Sequence, residues 1–273
     1  MHVLLTNDDG IEAEGLQALR KALLKLPGIE LAVIAPDGNR SAMARSITTR
    51  RPLWVQEIDF GDGTVGYATD GTPVDCVRLA RLGLIEGFEA ELVISGINHG
   101  SNLGDDITYS GTVAAALEAI VLGLPGIAVS QQSSAQELNF QAGSGFDFSV
   151  AASFSARLVG ELQSVPLPEG TLLNVNVPGC EPAGVEVAAL GKRVYSDELA
   201  LIEGGSPERR QYRIYGDASY DRNETGTDLA ALAQRKIAVT PIHFDLTDKE
   251  GLTALQRYDL ARLIAPAASE VEL

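Results

Sequence analysis

The chain has 273 residues, with 21 Lys+Arg against 37 Asp+Glu for a formal charge of −16, and 45% of it is apolar. That is too apolar for a disordered chain, long enough for one sizeable core, and free of the ~20-residue uninterrupted apolar run that a membrane span needs. So acidic a surface repels polyphosphate backbones, which argues against a nucleic-acid polymer as partner; a phosphate-bearing ligand needs a local device that reverses the sign of the field.

Taken in chain order, residues 2–6 form a short apolar strand. The start MHVLLTNDDG meets acid at once and has no basic n-region, so no signal peptide is expected. Residues 15–26 place Leu16, Leu19, Leu23 and Leu26 at helical spacing, Pro27-Gly28 stops that helix, and residues 31–35 form the next strand. A polar loop, 36–51, follows. Further buried strands are predicted at 91–95, 127–130 and 172–177, and helices at 73–84, 111–123 and 148–162. Strands alternating with helices imply an α/β fold with a mostly parallel sheet covered on both faces, and ligands bind such sheets beyond the carboxyl ends of the strands.

From about residue 185 the texture changes. Arg209-Arg210-Gln211-Tyr212-Arg213-Ile214-Tyr215 alternates polar and bulky side chains like a half-exposed strand, inside a polar, glycine-containing stretch from 195 to 226. Helix-compatible 228–234, strand-like 237–241 and a tail helix near 255–264 complete the chain. The expected organisation is a catalytic core over 1–184 and a C-terminal arm with a tail helix over 185–273, packing partly on the core and used for oligomerisation. Two cysteines, Cys76 and Cys180, make neither a disulfide framework nor a zinc spacing, which fits a reducing, cytoplasmic setting. The three histidines, His2, His99 and His243, are too scattered for an HxH or HExxH metal site.

Four segments carry chemistry. Asn7-Asp8-Asp9-Gly10 follows the first strand directly. Two adjacent carboxylates repel, and a hard cation at the sheet edge relieves that; a turn with one Asp capping the next helix accounts for the same residues. Gly96-Ile97-Asn98-His99-Gly100-Ser101-Asn102 leaves a later strand, and Asn98 offers a neutral oxygen to such a cation, with a glycine-rich surface turn as the plain alternative. Tyr109-Ser110-Gly111-Thr112 opens a helix whose first turn has no acid, so free N–H groups and two hydroxyls are available to phosphate; a simple capped helix reads the same way. Pro36-Asp37-Gly38-Asn39-Arg40-Ser41-Ala42 supplies an Arg for phosphate charge and a hydroxyl. The chain contains no GxxxxGK[ST] loop and no GxSxG elbow, and no GxGxxG follows a predicted strand.

Together, the NDDG, NRS, SGINHGSN and YSGT segments, with TDLAAL and the VTP-x-x-x-DLT stretch further on, resemble the SurE (survival protein E) nucleotidases over most of the chain. The resemblance implies a Rossmann-like core and an arm used in homodimer or homotetramer assembly. It also implies divalent-metal-dependent hydrolysis of nucleoside 5′-monophosphates, and often 3′-monophosphates. It puts the metal ligands on Asp8, Asp9, Ser41 and Asn98 and phosphate contacts on Ser110, Gly111 and Thr112. The chain departs from the family pattern at Gly38, where a basic residue is common, and at Ala42, where Gly is.

The expected mechanism has one cation per subunit, Mg²⁺ or Mn²⁺ before Ca²⁺, with water as nucleophile. Asp8 and Asp9 are the catalytic pair, and Asn98, Arg40, Ser110, Gly111 and Thr112 the substrate contacts. An aspartyl-phosphate route lacks the usual D-x-D spacing. A non-catalytic nucleotide-sensing module is the alternative from another class, but it has no need of two carboxylates aimed at the ligand. The expected partner is a small nucleoside monophosphate, with neither nucleic-acid polymer nor membrane.

Overall fold

The computed structural model describes residues 1–136, 145–165, 167–195, 199–206, 209–213, 218–220 and 224–264. Strand β1 (His2–Thr6) leads through helix α1 (Glu14–Leu23) to β2 (Glu30–Pro36), then to the hairpin β3 (Val55–Asp59) and β4 (Val65–Thr69). Next come α2 (Pro73–Arg81), β5 (Leu92–His99), α3 (Gly111–Val121), β6 (Gly126–Gln131), α4 (Ser149–Glu161) and β7 (Thr171–Val177). A nine-stranded sheet orders these β3-β4-β2-β1-β5-β6-β7, followed by β13 (Lys236–His243) and β8 (Gly184–Val187). Strands β4, β2, β1, β5, β6 and β7 run parallel, whereas β3 pairs antiparallel to β4 and β13 antiparallel to β7.

Side-chain alternation along the strands builds two cores. From β1, Val3 and Leu5 face α1 and α4 with Leu16, Leu19, Ala152 and Val159, while Leu4 faces α2 and α3 with Val77, Ala80, Ala115 and Ala119. The sheet is therefore covered on both faces, as the sequence implied. Helix α3 is rich in alanine for a steric reason: it lies so close to the sheet that a Cβ on Gly126 of β6 would come within 2.6 Å of the Ala116 carbonyl oxygen. Only small residues at this crossing allow the approach.

Topology places the site. The chain leaves β1 for β2 on one side and later returns to β5 on the other, so the strand order reverses at β1. The carboxyl ends of β1, β2 and β5 thus emerge together.

Past residue 184 the chain still adds to this sheet through β8 and β13, which pair with each other in parallel. Between them, β10 (Ala200–Ser206) pairs with β11 (Arg209–Arg213), and β12 (Ala218–Tyr220) with β9 (Arg193–Tyr195), both antiparallel. Ile214 and Tyr215, expected to extend the alternating strand, and parts of the 195–226 stretch lie outside the described residues. Helix α5 (Asp228–Ala233) precedes β13. Residues Met1–His243 form one compact unit and Phe244–Leu273 a second.

The hairpin β3–β4 was not foreseen, because its strands are short and β3 is largely exposed, with no apolar run to mark it. It also corrects the expectation that no GxGxxG follows a strand: Gly61, Gly63 and Gly66 have that spacing after β3, but they lead into strand β4 and not into the helix that a dinucleotide-binding turn opens. The tail helix begins earlier than expected: α6 spans Lys249–Gln256, started by the Asp248 side chain accepting from the Glu250 N–H (3.0 Å), and Leu260–Ile264 is a short 3-10 turn. Among the described residues no helix is long and apolar enough to cross a membrane.

Gly126→Ala is expected to destabilise the protein by about 1–3 kcal/mol through overpacking. A shift of the urea midpoint at unchanged slope measures it, and an unaltered midpoint contradicts the close α3–sheet contact.

Candidate active site

Beyond β1, Asn7 closes a tight turn, donating from Nδ2 to the Gly10 carbonyl (2.9 Å) and accepting the Gly10 N–H at Oδ1 (3.2 Å). Gly10 has φ +111°, and a Cβ there would sit 3.0 Å from the Gly38 Cα, so the β1 and β2 loops meet backbone to backbone. The Arg40 N–H donates to the Asp8 carbonyl (2.6 Å) and ties the loops again.

This turn sends the two carboxylates different ways. Asp8 is 3% exposed and lies against the start of α3, where the Thr112 hydroxyl donates to Oδ1. A Cβ on Gly111 would come within 2.8 Å of the Asp8 carboxylate, so only glycine admits it. Asp9 accepts from Asn39 Nδ2 at Oδ1 (3.2 Å) and from the His99 backbone N–H (3.1 Å) at Oδ2. The His99 ring Nδ1 lies 3.0 Å from the same Oδ2. That ring stands edge-on to Phe146 and Phe148, with centroids 5.1 and 4.8 Å away.

Asp8, Asp9, Asn39, Ser41, Ala42, Asn98, His99, Gly100, Ser101, Asn102, Tyr109 and Ser110 line one cleft of about 100 Å³. Of the residues singled out in the sequence, Asp8, Asp9, Ser41, Asn98 and Ser110 thus converge, although they lie on four separate segments. Gly111 and Thr112 sit behind Asp8 rather than on the cleft wall. The Arg40 guanidinium turns to Asp37 (2.5 Å) and the Asn39 carbonyl (3.2 Å), and is not among the lining groups. Ser110 caps α3 by accepting the Val113 N–H (3.1 Å).

Burial, and secondarily the charge of Asp9, lift the Asp8 carboxyl to about 6 against the hydrogen bonds from Thr112. Burial pulls the His99 imidazole down, but its hydrogen bond to Asp9 and the charges of Asp9, Glu14 and Asp8 leave it above its ordinary value. Among the described residues the cleft wall carries two carboxylates and no Lys or Arg side chain.

Three contributors escaped the sequence reading. Asn39 and His99 hold Asp9, and a buried amide set fixes the loop after β5. There Asn174 and Asn176 donate to the Asn102 carbonyl (both 2.9 Å), Asn176 Oδ1 accepts the Asn102 N–H (2.8 Å), and Asn102 Nδ2 donates to Ser130 Oγ (2.8 Å). The signal was present: two Asn at alternate positions of an otherwise apolar strand share one face and need buried partners.

Compared with known proteins, residues 3–197 match the family model described as Survival protein SurE. The chain belongs to the SurE family. It is 51% identical to a 5′-nucleotidase SurE of Rubrobacter xylanophilus, over 97% of this chain and 99% of that one. To a 5′-nucleotidase SurE of Geobacter sulfurreducens it is 43% identical, over 96% of this chain and 95% of the relative. Among solved structures, the SurE protein from Aquifex aeolicus superposes with a TM-score of 0.79 at 35% identity, covering 94% of this chain and 99% of that one. The four-motif resemblance therefore holds over nearly the whole length.

Because the Asp8 carboxyl is raised in the folded state, the fold binds an extra proton between about pH 4 and pH 6. Stability falls as pH rises through that window and does not recover above it. In chelator at pH 8, Asp8→Asn is expected to be more stable than the parent by about 1–3 kcal/mol. Denaturant titration should show the gap closing toward pH 4, and a less stable variant at pH 8 contradicts it.

Proposed function

We propose that this protein is a metal-dependent phosphomonoesterase that hydrolyses nucleoside 5′-monophosphates to nucleoside and phosphate. Membership of a family whose relatives are named 5′-nucleotidases supports the enzyme class. The observation that carries the chemistry is the convergence of Asp8, Asp9, Ser41 and Asn98 on one cleft.

Among the described residues no three His, Cys, Asp or Glu side chains gather as a metal site, so any cation must use the mixed set. That set fits. The Asn98 amide nitrogen is held by the Gly100 carbonyl (2.8 Å), which leaves Oδ1 as its acceptor toward the cleft. Two carboxylates, a hydroxyl and an amide oxygen are all hard donors, and the uncompensated charge beside a buried Asp8 is relieved by a divalent cation. Asp8, Asp9, Ser41 and Asn98 would hold one Mg²⁺ or Mn²⁺, with Ca²⁺ the weaker candidate. Such an ion supplies positive charge against the phosphate dianion and acidity toward water.

The chain's own groups do the rest. Thr112 fixes the plane of Asp8 from behind, while Asn39 and His99 fix Asp9. Ser110, at the positive end of α3, faces the position where non-bridging phosphate oxygens sit. The Asp9 carboxylate would accept a proton from the attacking water; the new P–O bond forms as the ester P–O bond breaks, and that proton passes to the departing nucleoside oxygen. Activity toward 3′-monophosphates, a cytoplasmic location and assembly as a homodimer or homotetramer through the 185–273 region belong to the same reading.

The test is release of inorganic phosphate from 5′-AMP. Activity with added Mg²⁺ or Mn²⁺ should disappear in chelator and return with metal. Asp8→Asn should lower kcat by at least about 100-fold while still folding cooperatively with the parent's circular dichroism. A chelator-resistant rate, or a variant as active as the parent, refutes the assignment.

A further inference from the structure

Two stretches of the cleft wall belong to one continuous segment. Residues 98–102 line the cleft at and beyond the end of β5, and Tyr109 and Ser110 line it at the start of α3. Between them the chain runs through Leu103 and the 3-10 turn Gly104–Thr108. The position of Gly104 therefore governs how the two stretches stand to each other.

A side chain from far along the sequence fixes that position. Asp228, wholly buried at the first position of α5, accepts the Gly104 N–H at Oδ2 (2.8 Å). Its Oδ1 takes the N–H groups of Gly191 and Leu229 (both 2.9 Å). Packing closes the joint: a Cβ on Gly104 would lie 2.5 Å from the Gly191 carbonyl oxygen, and Leu103 is buried with Leu229 and Leu232. Onward to Ser110 the chain is stapled turn by turn. The Asp106 N–H donates to the Leu103 carbonyl (3.1 Å), the Tyr109 N–H to the Asp106 carbonyl (2.9 Å) and the Ser110 N–H to the Ile107 carbonyl (3.3 Å). Asn98 is tied separately, by its amide bond to the Gly100 carbonyl and by the pairing of β5 with β6.

We propose that Asp228 is the positioning residue for the phosphate-facing turn: by holding Gly104 it sets Ser110 where, with the cation ligands opposite, a phosphoryl group fits between them. The assignment rests on the nucleotidase reading above. A carboxylate suits the place because both of its oxygens meet N–H donors, whereas an amide offers an oxygen to one side and an NH₂ to the other. With two donors at Oδ1 and one at Oδ2, Asp228→Asn keeps its oxygen on Gly191 and Leu229 and releases Gly104.

The experiment separates phosphate binding from cation binding. In Asp228→Asn, competitive inhibition of 5′-AMP hydrolysis by inorganic phosphate is expected to weaken at least about fivefold, the size of one hydrogen bond, while the Mn²⁺ concentration for half-maximal activity stays within about twofold. Amide hydrogen exchange gives a readout independent of turnover: Gly104 should lose protection and Leu229 keep it. The control is Thr227→Ala, which removes the α5 cap on the Ala230 N–H (3.3 Å) and leaves the Gly104 bond in place; its urea midpoint should fall with phosphate inhibition unchanged. Should Asp228→Asn fail to fold, Leu229→Ala, which opens the contact with Leu103, must give the same split. Phosphate inhibition within about twofold of the parent, or an unaltered Gly104 amide, overturns the assignment and leaves the nucleotidase reading intact. Equal weakening toward phosphate and Mn²⁺, or the same loss in Thr227→Ala, also overturns it, since Asp228 would then act through stability alone. A parent protein that releases no phosphate from 5′-AMP overturns both readings.

Discussion

The structure turns on one buried carboxylate. Asp8 lies almost wholly out of water at the start of α3, with Thr112 donating to it and Asp9 beside it. Desolvation and like charge both oppose its ionised form, and each neighbouring feature is a response to that cost. Gly111 gives it space, Gly10 bends the backbone toward it, and the Arg40 N–H anchors its carbonyl. An apo fold that holds a carboxylate so unfavourably has exchanged stability for a poised negative group, the usual signature of a cation or catalytic site rather than of a structural cap.

The acid-free first turn of α3 takes on a different meaning in three dimensions. The sequence shows no Asp or Glu near Ser110, which implies N–H groups left for a ligand. Folding supplies the missing acid from β1, as Asp8, and only the Ser110 side of the helix start faces the cleft. On the proposed function the same helix end serves two anions, one carried by the protein and one brought by the substrate. Behind it, the turn at Gly104–Thr108 is anchored from the C-terminal half of the unit: Asp228 accepts the Gly104 and Gly191 N–H groups (2.8 and 2.9 Å), and buried Arg193 pairs with buried Asp106 (2.5 Å). Groups more than eighty residues away in sequence thus set where the phosphate-facing turn begins.

What could be read from the sequence divides along physical lines. Strands buried on both faces, such as β1 and β6, announce themselves as apolar runs, and α1 and α3 by spacing and by the Ser110 cap. The β3–β4 hairpin did not, because an exposed edge strand needs no apolar pattern; its turn, Gly61-Asp62-Gly63, was the available signal. At the site, residues that directly follow strands were legible, since topology alone carries them to the carboxyl edge. Arg40, read as a phosphate contact, has its guanidinium paired with a neighbouring acid, Asp37, and spacing says nothing of such local competition. Asn39, His99 and the Asn102–Asn174–Asn176 set act by orienting other groups, and that becomes visible only once their partners are in place.

Charge closes the account. On the proposed function a chain with a net −16 must bring a phosphate dianion to a cleft whose own wall is acidic, so attraction cannot come from the surface at large. Nor are nearby guanidinium groups free to provide it: Arg45 and Arg78 both converge at 2.6 Å on Glu118, a buried acid in the body of α3. Those ion pairs tie residues 45 and 78 to the helix that carries Ser110 and Thr112 and leave both guanidinium charges compensated by Glu118. On the proposed function the field is reversed locally, by the positive end of α3 and by a cation that Asp8, Asp9, Ser41 and Asn98 would hold. On that reading, binding of the substrate anion depends on the cation, while the acidic surface repels polyphosphate backbones.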